Sequence, residues 1–232
     1  PPLKGVLTIE EYLYRRQYWG RVRQVVGLDG RFYEGAAALL FPPDWLDLAE
    51  RFAAILKESR RNAERRAKAI GIDSGEGGDK TAMVAADELG VIECVAKKTP
   101  NTAIIVGEAI AFMQKHRVPP KRVFLDRGGG GKQHADRMRE KGFDVRTVSF
   151  GEPISVDPKH GTVSVKTRMD AKEERYTYFN RRAQLYGMLS VSMDPSLFVD
   201  EDHGFALPAE YPELRQQLEP IPQRYDDEGR LR

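Results

Sequence analysis

Residues 69–83 read AIGIDSGEGGDKTAM, and the fold turns on this stretch. Ala69 to Ile72 form a short apolar run that ends on a carboxylate, Asp73. The polar turn Ser74-Gly75-Glu76-Gly77-Gly78-Asp79 follows, and apolar character resumes from Met83 to Ala86. The pattern predicts strand, tight turn, strand, with an acid at the end of the first strand. Two readings of Asp73 are open. It caps the turn, or it holds a divalent cation where glycines let a phosphate approach closely.

A second run, Arg122-Val123-Phe124-Leu125-Asp126, repeats the device and is followed by four glycines, Gly128 to Gly131. Two strands of one sheet, each ending in a carboxylate, suit a two-metal phosphoryl-transfer site. Its cations lie about 3.5–4 Å apart and need oxygen ligands from separate strands. Lys132 after the glycines invites comparison with a P-loop, but the required Gly, four residues, then Gly-Lys-Ser/Thr fails at Asp126 and at Gln133. The glycines are expected instead to keep bulk away from Asp126, or simply to form a loose strand-to-helix turn.

Strands over Ala67–Asp73, Thr81–Asp87 and Val91–Lys97 should form a meander, with Glu88-Leu89-Gly90 turning the second hairpin. A helix is expected over Asn101–His116, with Ile104, Ile105, Ala109, Ile110 and Met113 buried. Then come a strand at Arg122–Asp126, a helix at Lys132–Lys141 and a strand at Asp144–Phe150. This order implies α/β architecture: a βαβ unit joined to an antiparallel meander in one mixed sheet with flanking helices. Further on, a hairpin over Ile154–Val165 and an amphipathic helix over Asp170–Ser192 are expected. In that helix Tyr176, Phe179, Leu185, Tyr186 and Leu189 read as core, and the tail beyond Phe205 reads as Pro-broken and irregular.

Residues 1–66 have a different texture, predominantly helical, and read as a linker or tether ahead of a domain over 67–232. Helices are expected over Ile9–Tyr18 and Asp44–Lys57, the second capped by Asp44 and buried through Trp45, Leu48, Phe52 and Ile55. The 232 residues carry a net charge of only +2, but Arg51 to Ile70 hold seven Lys/Arg against two Glu. Within it, the tract Lys57–Arg66 is either a solvated helix end or a contact to a nucleic-acid backbone. The single Cys94 excludes a disulfide framework and a Cys-based zinc site, and suits a reducing compartment. No stretch is apolar enough to span a bilayer and no secretory signal opens the chain, so a soluble intracellular protein is expected.

The four histidines show no ligand spacing and are expected on the surface or in loops, with His134 held open because it follows Asp126 closely. No G-x-S-x-G surrounds a serine, which argues against a hydrolase triad. Lys132 is a candidate DNA contact. Lys166, Arg168 and Lys172, with Arg175, Arg181 and Arg182, either line a DNA groove or face water.

Four blocks in this order resemble the nuclease domain of the large terminase subunit of tailed bacteriophages. They are GIDSGEGGDKTAM; RVFLDRGGGG with ADRMREKGFDVRTVSFGE; YTYFNRRAQLYGML; and GFALPAEYPELRQQLEPIPQRYDDEGRLR. The resemblance covers Arg66 to Arg232 and implies an RNase H-like fold with Asp73 and Asp126 as the first and second acidic ligands of Mg²⁺ or Mn²⁺. It implies a third acidic ligand on a helix beyond the segment matching Glu210–Arg232, with Asp200, Asp202 and Glu76 the nearest substitutes within the chain. It also implies an ATPase domain ahead of Pro1, for which residues 1–66 would be the tether. The implied activity is cleavage of concatemeric double-stranded DNA during genome packaging in the host cytoplasm. The implied partners are DNA, the portal protein, the small terminase subunit and other copies of the chain. Alternatives are another RNase H-like nuclease of resolvase or transposase type, or a non-catalytic module that grips DNA.

Overall fold

The computed structural model describes residues 8–18, 28, 39–75, 78–154, 178–197, 204–226 and 230–232. The chain divides into two compact units, one of Phe41–Glu152 with Ser192–Pro220 and one of Pro1–Leu40, Pro153–Val191 and Ile221–Arg232.

The larger unit is built on a five-stranded mixed sheet. Its strands are β1 (Ala69–Asp73), β2 (Lys80–Asp87), β3 (Gly90–Lys98), β4 (Val123–Asp126) and β5 (Arg146–Val148), in the order β3-β2-β1-β4-β5. β1 pairs antiparallel with β2, Ile72 facing Met83, and β2 pairs antiparallel with β3. On its other side β1 pairs parallel with β4, Ile70 facing Val123 and Ile72 facing Leu125, and β4 pairs parallel with β5. The expected meander and βαβ unit are both present. Arg122, expected at the start of β4, instead ends a 3₁₀ turn over Pro120–Arg122, where two consecutive prolines withhold ladder hydrogen bonds.

The sheet buries Ile70, Ile72, Met83 and Ala85 against two helices. In one of them (Ile105–Lys115) the buried residues are Ile105, Val106, Ala109, Phe112 and Met113. Ile104 is 45% exposed, because residues 102–104 form a 3₁₀ turn ahead of the helix and shift its face. The other helix (Gly131–Glu140) fills the β4–β5 crossover and buries Ala135 and Met138. Below, Ile105–Lys115 and Gly131–Glu140 are α4 and α5, following α1 (Ile9–Tyr18), α2 (Pro43–Glu58) and the short α3 (Arg60–Glu64).

α2 packs in this same unit. Its N-cap is Pro42, not Asp44, since Pro43 at the first helical position already has the required φ and lacks the amide that would need a partner. Leu46, Ala49, Phe52 and Leu56 are buried, whereas Leu48 and Ile55 are exposed. Phe52 and Leu56 cluster with Ala206, which rotates the buried stripe by about one residue from the expected one. The tail beyond Phe205, expected to be irregular, is anchored at Ala206, which makes an isolated bridge to Gly90 at the start of β3. There the Ala206 amide donates to the Leu89 carbonyl at 2.6 Å and the Val91 amide to the Ala206 carbonyl at 2.9 Å. A helix over Pro212–Leu218 (α7) follows. It is tied to α2 by Arg215, which meets Asp47 at 2.8 Å and Glu50 at 2.9 Å.

In the second unit α1 opens with a capping box. The Glu11 amide donates to Thr8 Oγ1 at 3.1 Å and the Thr8 amide to Glu11 Oε2 at 3.0 Å. The helix expected from Asp170 runs from Arg181 to Met193 (α6). Tyr178 is extended and bridges Leu231 instead, while residues 170–177 and most of the expected 154–165 hairpin lie outside the described residues. Ala183, Gln184 and Ser190 are buried, whereas Phe179, Leu185 and Tyr186 are exposed and Tyr176 lies outside the described residues. The aromatic stripe is thus not the core.

Candidate active site

Asp73 and Asp126 follow immediately on the paired residues Ile72 and Leu125, so the parallel register of β1 and β4 sets the two carboxylates side by side. Neighbouring strands lie about 4.8 Å apart, close enough for carboxylates at paired positions to turn toward a common cation. The Asp73 carboxyl is held above its ordinary range by burial first, then by the negative fields of Asp126 and Asp79. Converging carboxylates that each disfavour the other's charge are the arrangement a divalent cation relieves. Asp79, at the far end of the Gly-rich turn and exposed, carries no sequence motif that marks it for a role. Only the fold of the turn reveals its field on Asp73.

Both loops that carry the acids are tied down. Ser74, 5% exposed, donates through its hydroxyl to the Gly129 carbonyl at 2.7 Å, locking the β1 loop to the β4 loop. The Gly75 amide donates to Thr81 Oγ1 at 3.3 Å across the first turn. The Gly128 amide donates to Asp126 Oδ1 at 3.1 Å and holds that carboxylate in orientation. Two of the four glycines are required for different reasons. Gly130 caps α5 with a left-handed φ of 71°. A Cβ on Gly131 would strike the Asp126 carbonyl oxygen. The glycines therefore act on the backbone of Asp126 as well as on the space above its carboxylate.

Lys132 is exposed in the first turn of α5, a turn with no acidic residue and no side-chain cap on its amides. Lys166, Arg168, Lys172 and Arg175 lie outside the described residues, as do Glu76, Asp200 and Asp202. Arg181 donates to Gln184 Oε1 at 2.6 Å within α6. Of the described histidines, His116 lies in the turn after α4, as expected of a loop residue, and His134, the one held open, is buried in a helix. His134 is 4% exposed inside α5, and His116 packs edge-on to Phe112 with Nε2 2.9 Å from Glu93 Oε2. His160 and His203 lie outside the described residues. Among the described residues no group of three or more His, Cys, Asp or Glu could hold a metal ion. The candidate donors are Asp73 and Asp126, an all-oxygen pair suited to a hard cation such as Mg²⁺ or Mn²⁺.

An antiparallel β3-β2-β1 meander continued by parallel β4 and β5, with helices flanking the sheet, is the RNase H-like nuclease fold found in terminase nuclease domains. The chain is similar to the nuclease domain of the large terminase subunit gp2 of bacterial virus Sf6, with 15% identity, 84% of this chain and 86% of that one covered, and a TM-score of 0.59. It is similar also to lysine-to-alanine mutants of that domain. One, with manganese and beta-thujaplicinol, matches at 15% identity over 84% of this chain and 86% of that one with a TM-score of 0.58. The other, with calcium, matches at 15% identity over 84% and 87% with a TM-score of 0.58. At such identity the structural likeness shows the fold alone. No protein-family profile matches the chain, and no curated protein matches its sequence.

Proposed function

We propose that this chain is a metal-dependent DNA endonuclease of the terminase kind, hydrolysing phosphodiesters of concatemeric double-stranded DNA when packaging starts and ends. The observation that supports it most directly is the pairing of Asp73 and Asp126 at the ends of adjacent parallel strands. In this reading Asp73 and Asp126 would be the residues that hold the divalent cations, Mg²⁺ or Mn²⁺. A bound divalent ion supplies Lewis-acid stabilisation of the phosphoryl oxygens and lowers the pKa of its water. Asp126 is oriented for its role by the Gly128 amide, and Ser74 keeps both loops in register. Lys132 and the uncapped amides at the start of α5 would receive the phosphate, because a helix N-terminus favours anions. Water adds to phosphorus, the P–O bond to the leaving strand breaks, and that oxygen takes up a proton.

The reading extends to the partners the resemblance implies: double-stranded DNA, the portal protein, the small terminase subunit, further copies of the chain, and action in the host cytoplasm. Residues 1–66 as a tether, and DNA contacts by Lys166, Arg168 and Lys172, belong to it too. Among the described residues no helix is long and apolar enough to cross a membrane.

Cleavage of supercoiled plasmid in Mn²⁺ and in Mg²⁺ tests the proposal, with Mn²⁺ binding by calorimetry as a second readout. Asp73→Asn and Asp126→Asn should each lose cleavage and weaken Mn²⁺ binding while remaining folded. Either variant nicking at the wild-type rate would refute the assignment. A grip on DNA without catalysis is the other reading. It stands if the wild-type chain binds duplex DNA and never nicks it.

A further inference from the structure

The second unit carries a small ladder at the C-terminal segment that the proposed active site does not use. Leu231 bridges Tyr225 antiparallel on one side and Tyr178 parallel on the other. The flanking hydrogen bonds fix the register. The Arg232 amide donates to the Arg224 carbonyl at 3.0 Å, the Asp226 amide to the Arg230 carbonyl at 3.0 Å, and the Phe179 amide to the Leu231 carbonyl at 2.9 Å. Because side chains alternate along a strand, Leu231 is buried on one face, 1% exposed. Arg224, Arg232 and Phe179 then stand abreast on the other, with Asp226 and Arg230 in the next row.

That face gathers positive charge at a cost to its own stability. Arg230 is neutralised by Asp226, with Nε to Oδ2 at 2.7 Å. Arg224 and Arg232 are exposed and have no carboxylate partner among the described residues. Like charges directly opposite each other on a ladder are destabilising. A ring holds the guanidiniums together: Arg230 and Arg232 lie 5.1 Å and 5.8 Å from the centroid of Phe179, which is itself 44% exposed. A large aromatic kept at the surface and stacked by two guanidiniums limits their freedom before any ligand arrives. The intervening Asp227 and Glu228 lie outside the described residues.

We propose that the Arg224–Arg232–Phe179 face is a contact surface for the phosphate backbone of double-stranded DNA, separate from the carboxylate pair. Two exposed guanidiniums with no carboxylate partner among the described residues, Arg232 held against Phe179 and Arg224 opposite it, complement a row of phosphates, and contacts of this kind position a duplex without reading its sequence. The proposal rests on DNA being the ligand of this protein, as argued above.

The test is fluorescence anisotropy of a labelled 30-bp duplex in EDTA over a salt series, so that cleavage plays no part. Each phosphate contact contributes about −0.9 to the slope of log K against log salt. Arg224→Gln/Arg232→Gln should therefore flatten the wild-type slope by about 1.8 and lower affinity. Arg224→Glu provides the control for folding, since it places an acid opposite Arg232. It should raise the melting temperature of this unit while weakening duplex binding, two effects of opposite sign that a purely structural role would not give. An unchanged slope in the double variant overturns the proposal. So does unchanged duplex binding with loss of binding to a polyglutamate peptide, which would assign the face to an acidic protein partner. If the duplex result holds and the wild-type chain never nicks plasmid in Mn²⁺, the nuclease reading fails and this one survives.

Discussion

Arg65 and Asp87 form an ion pair whose removal should be the most damaging single change in the sheet unit. Their side chains are only 8% and 5% exposed. Arg65 Nε donates to Asp87 Oδ2 at 2.9 Å and Nη2 to Oδ1 at 2.6 Å. Nη2 also reaches the Gly90 carbonyl at 3.0 Å, and the Leu89 amide donates to Asp87 Oδ1 at 2.9 Å. One guanidinium thus fastens the approach to β1 onto the β2–β3 turn. Arg65→Met keeps the aliphatic stem, deletes the charge and strands a buried carboxylate with a single amide donor. Removing one partner of such a pair costs about 3–5 kcal/mol. For a protein of this size each kcal/mol is worth about 2–4 °C, so the sheet unit should melt roughly 6–20 °C lower. Urea unfolding of Arg65→Met, Asp87→Leu and the double variant would measure it. The double variant should be less destabilised than the two single costs summed, because it leaves no lone charge. The reasoning fails if Arg65→Met loses less than about 1 kcal/mol, a cost typical of an exposed pair.

If the proposed function holds, Gly131→Ala should cripple plasmid cleavage with the fold largely intact, because the new methyl collides with the Asp126 carbonyl oxygen and must displace that residue; a wild-type cleavage rate would show that the site tolerates the shift. Asp73→Asn should stabilise the metal-free protein at neutral pH. Its carboxyl is raised above the ordinary 3.8 by burial and by Asp126 and Asp79. The folded state therefore binds the proton more tightly than the unfolded one, and wild-type stability falls as pH rises from about 3.8 through the raised value. Melts in EDTA across pH should show the variant's advantage vanish on acidification, and an advantage that grows in acid contradicts the sign. Met138→Ala, at a fully buried position between α5 and the sheet, should cost about 2–5 kcal/mol in chemical denaturation. Lys132→Ala should weaken DNA binding at low salt with no change in melting temperature; unaltered binding removes Lys132 from the interface.

What the sequence determined by itself was local. Ala69–Asp73 and Val123–Asp126 announce strands because short apolar runs that end in a glycine-rich turn are too short for a helix, and each run carries its acid with it. Asp73 and Asp126 were therefore legible as a pair, and so was the order of meander and βαβ unit. Which face of a helix is buried was less legible. In α2 the choice between Leu48 with Ile55 and Leu46 with Leu56 depends on Ala206 arriving from 150 residues downstream. In α6 the exposed aromatics look like a core stripe until Tyr178 is seen to pair with Leu231. The parallel register that sets Asp73 beside Asp126, the Ser74–Gly129 bond, the field of Asp79, the Arg65–Asp87 pair and the abreast arginines were decided only by the tertiary structure. Periodicity encodes which residues prefer water, but register and long-range pairing depend on contacts between segments that carry no mark of one another in the chain.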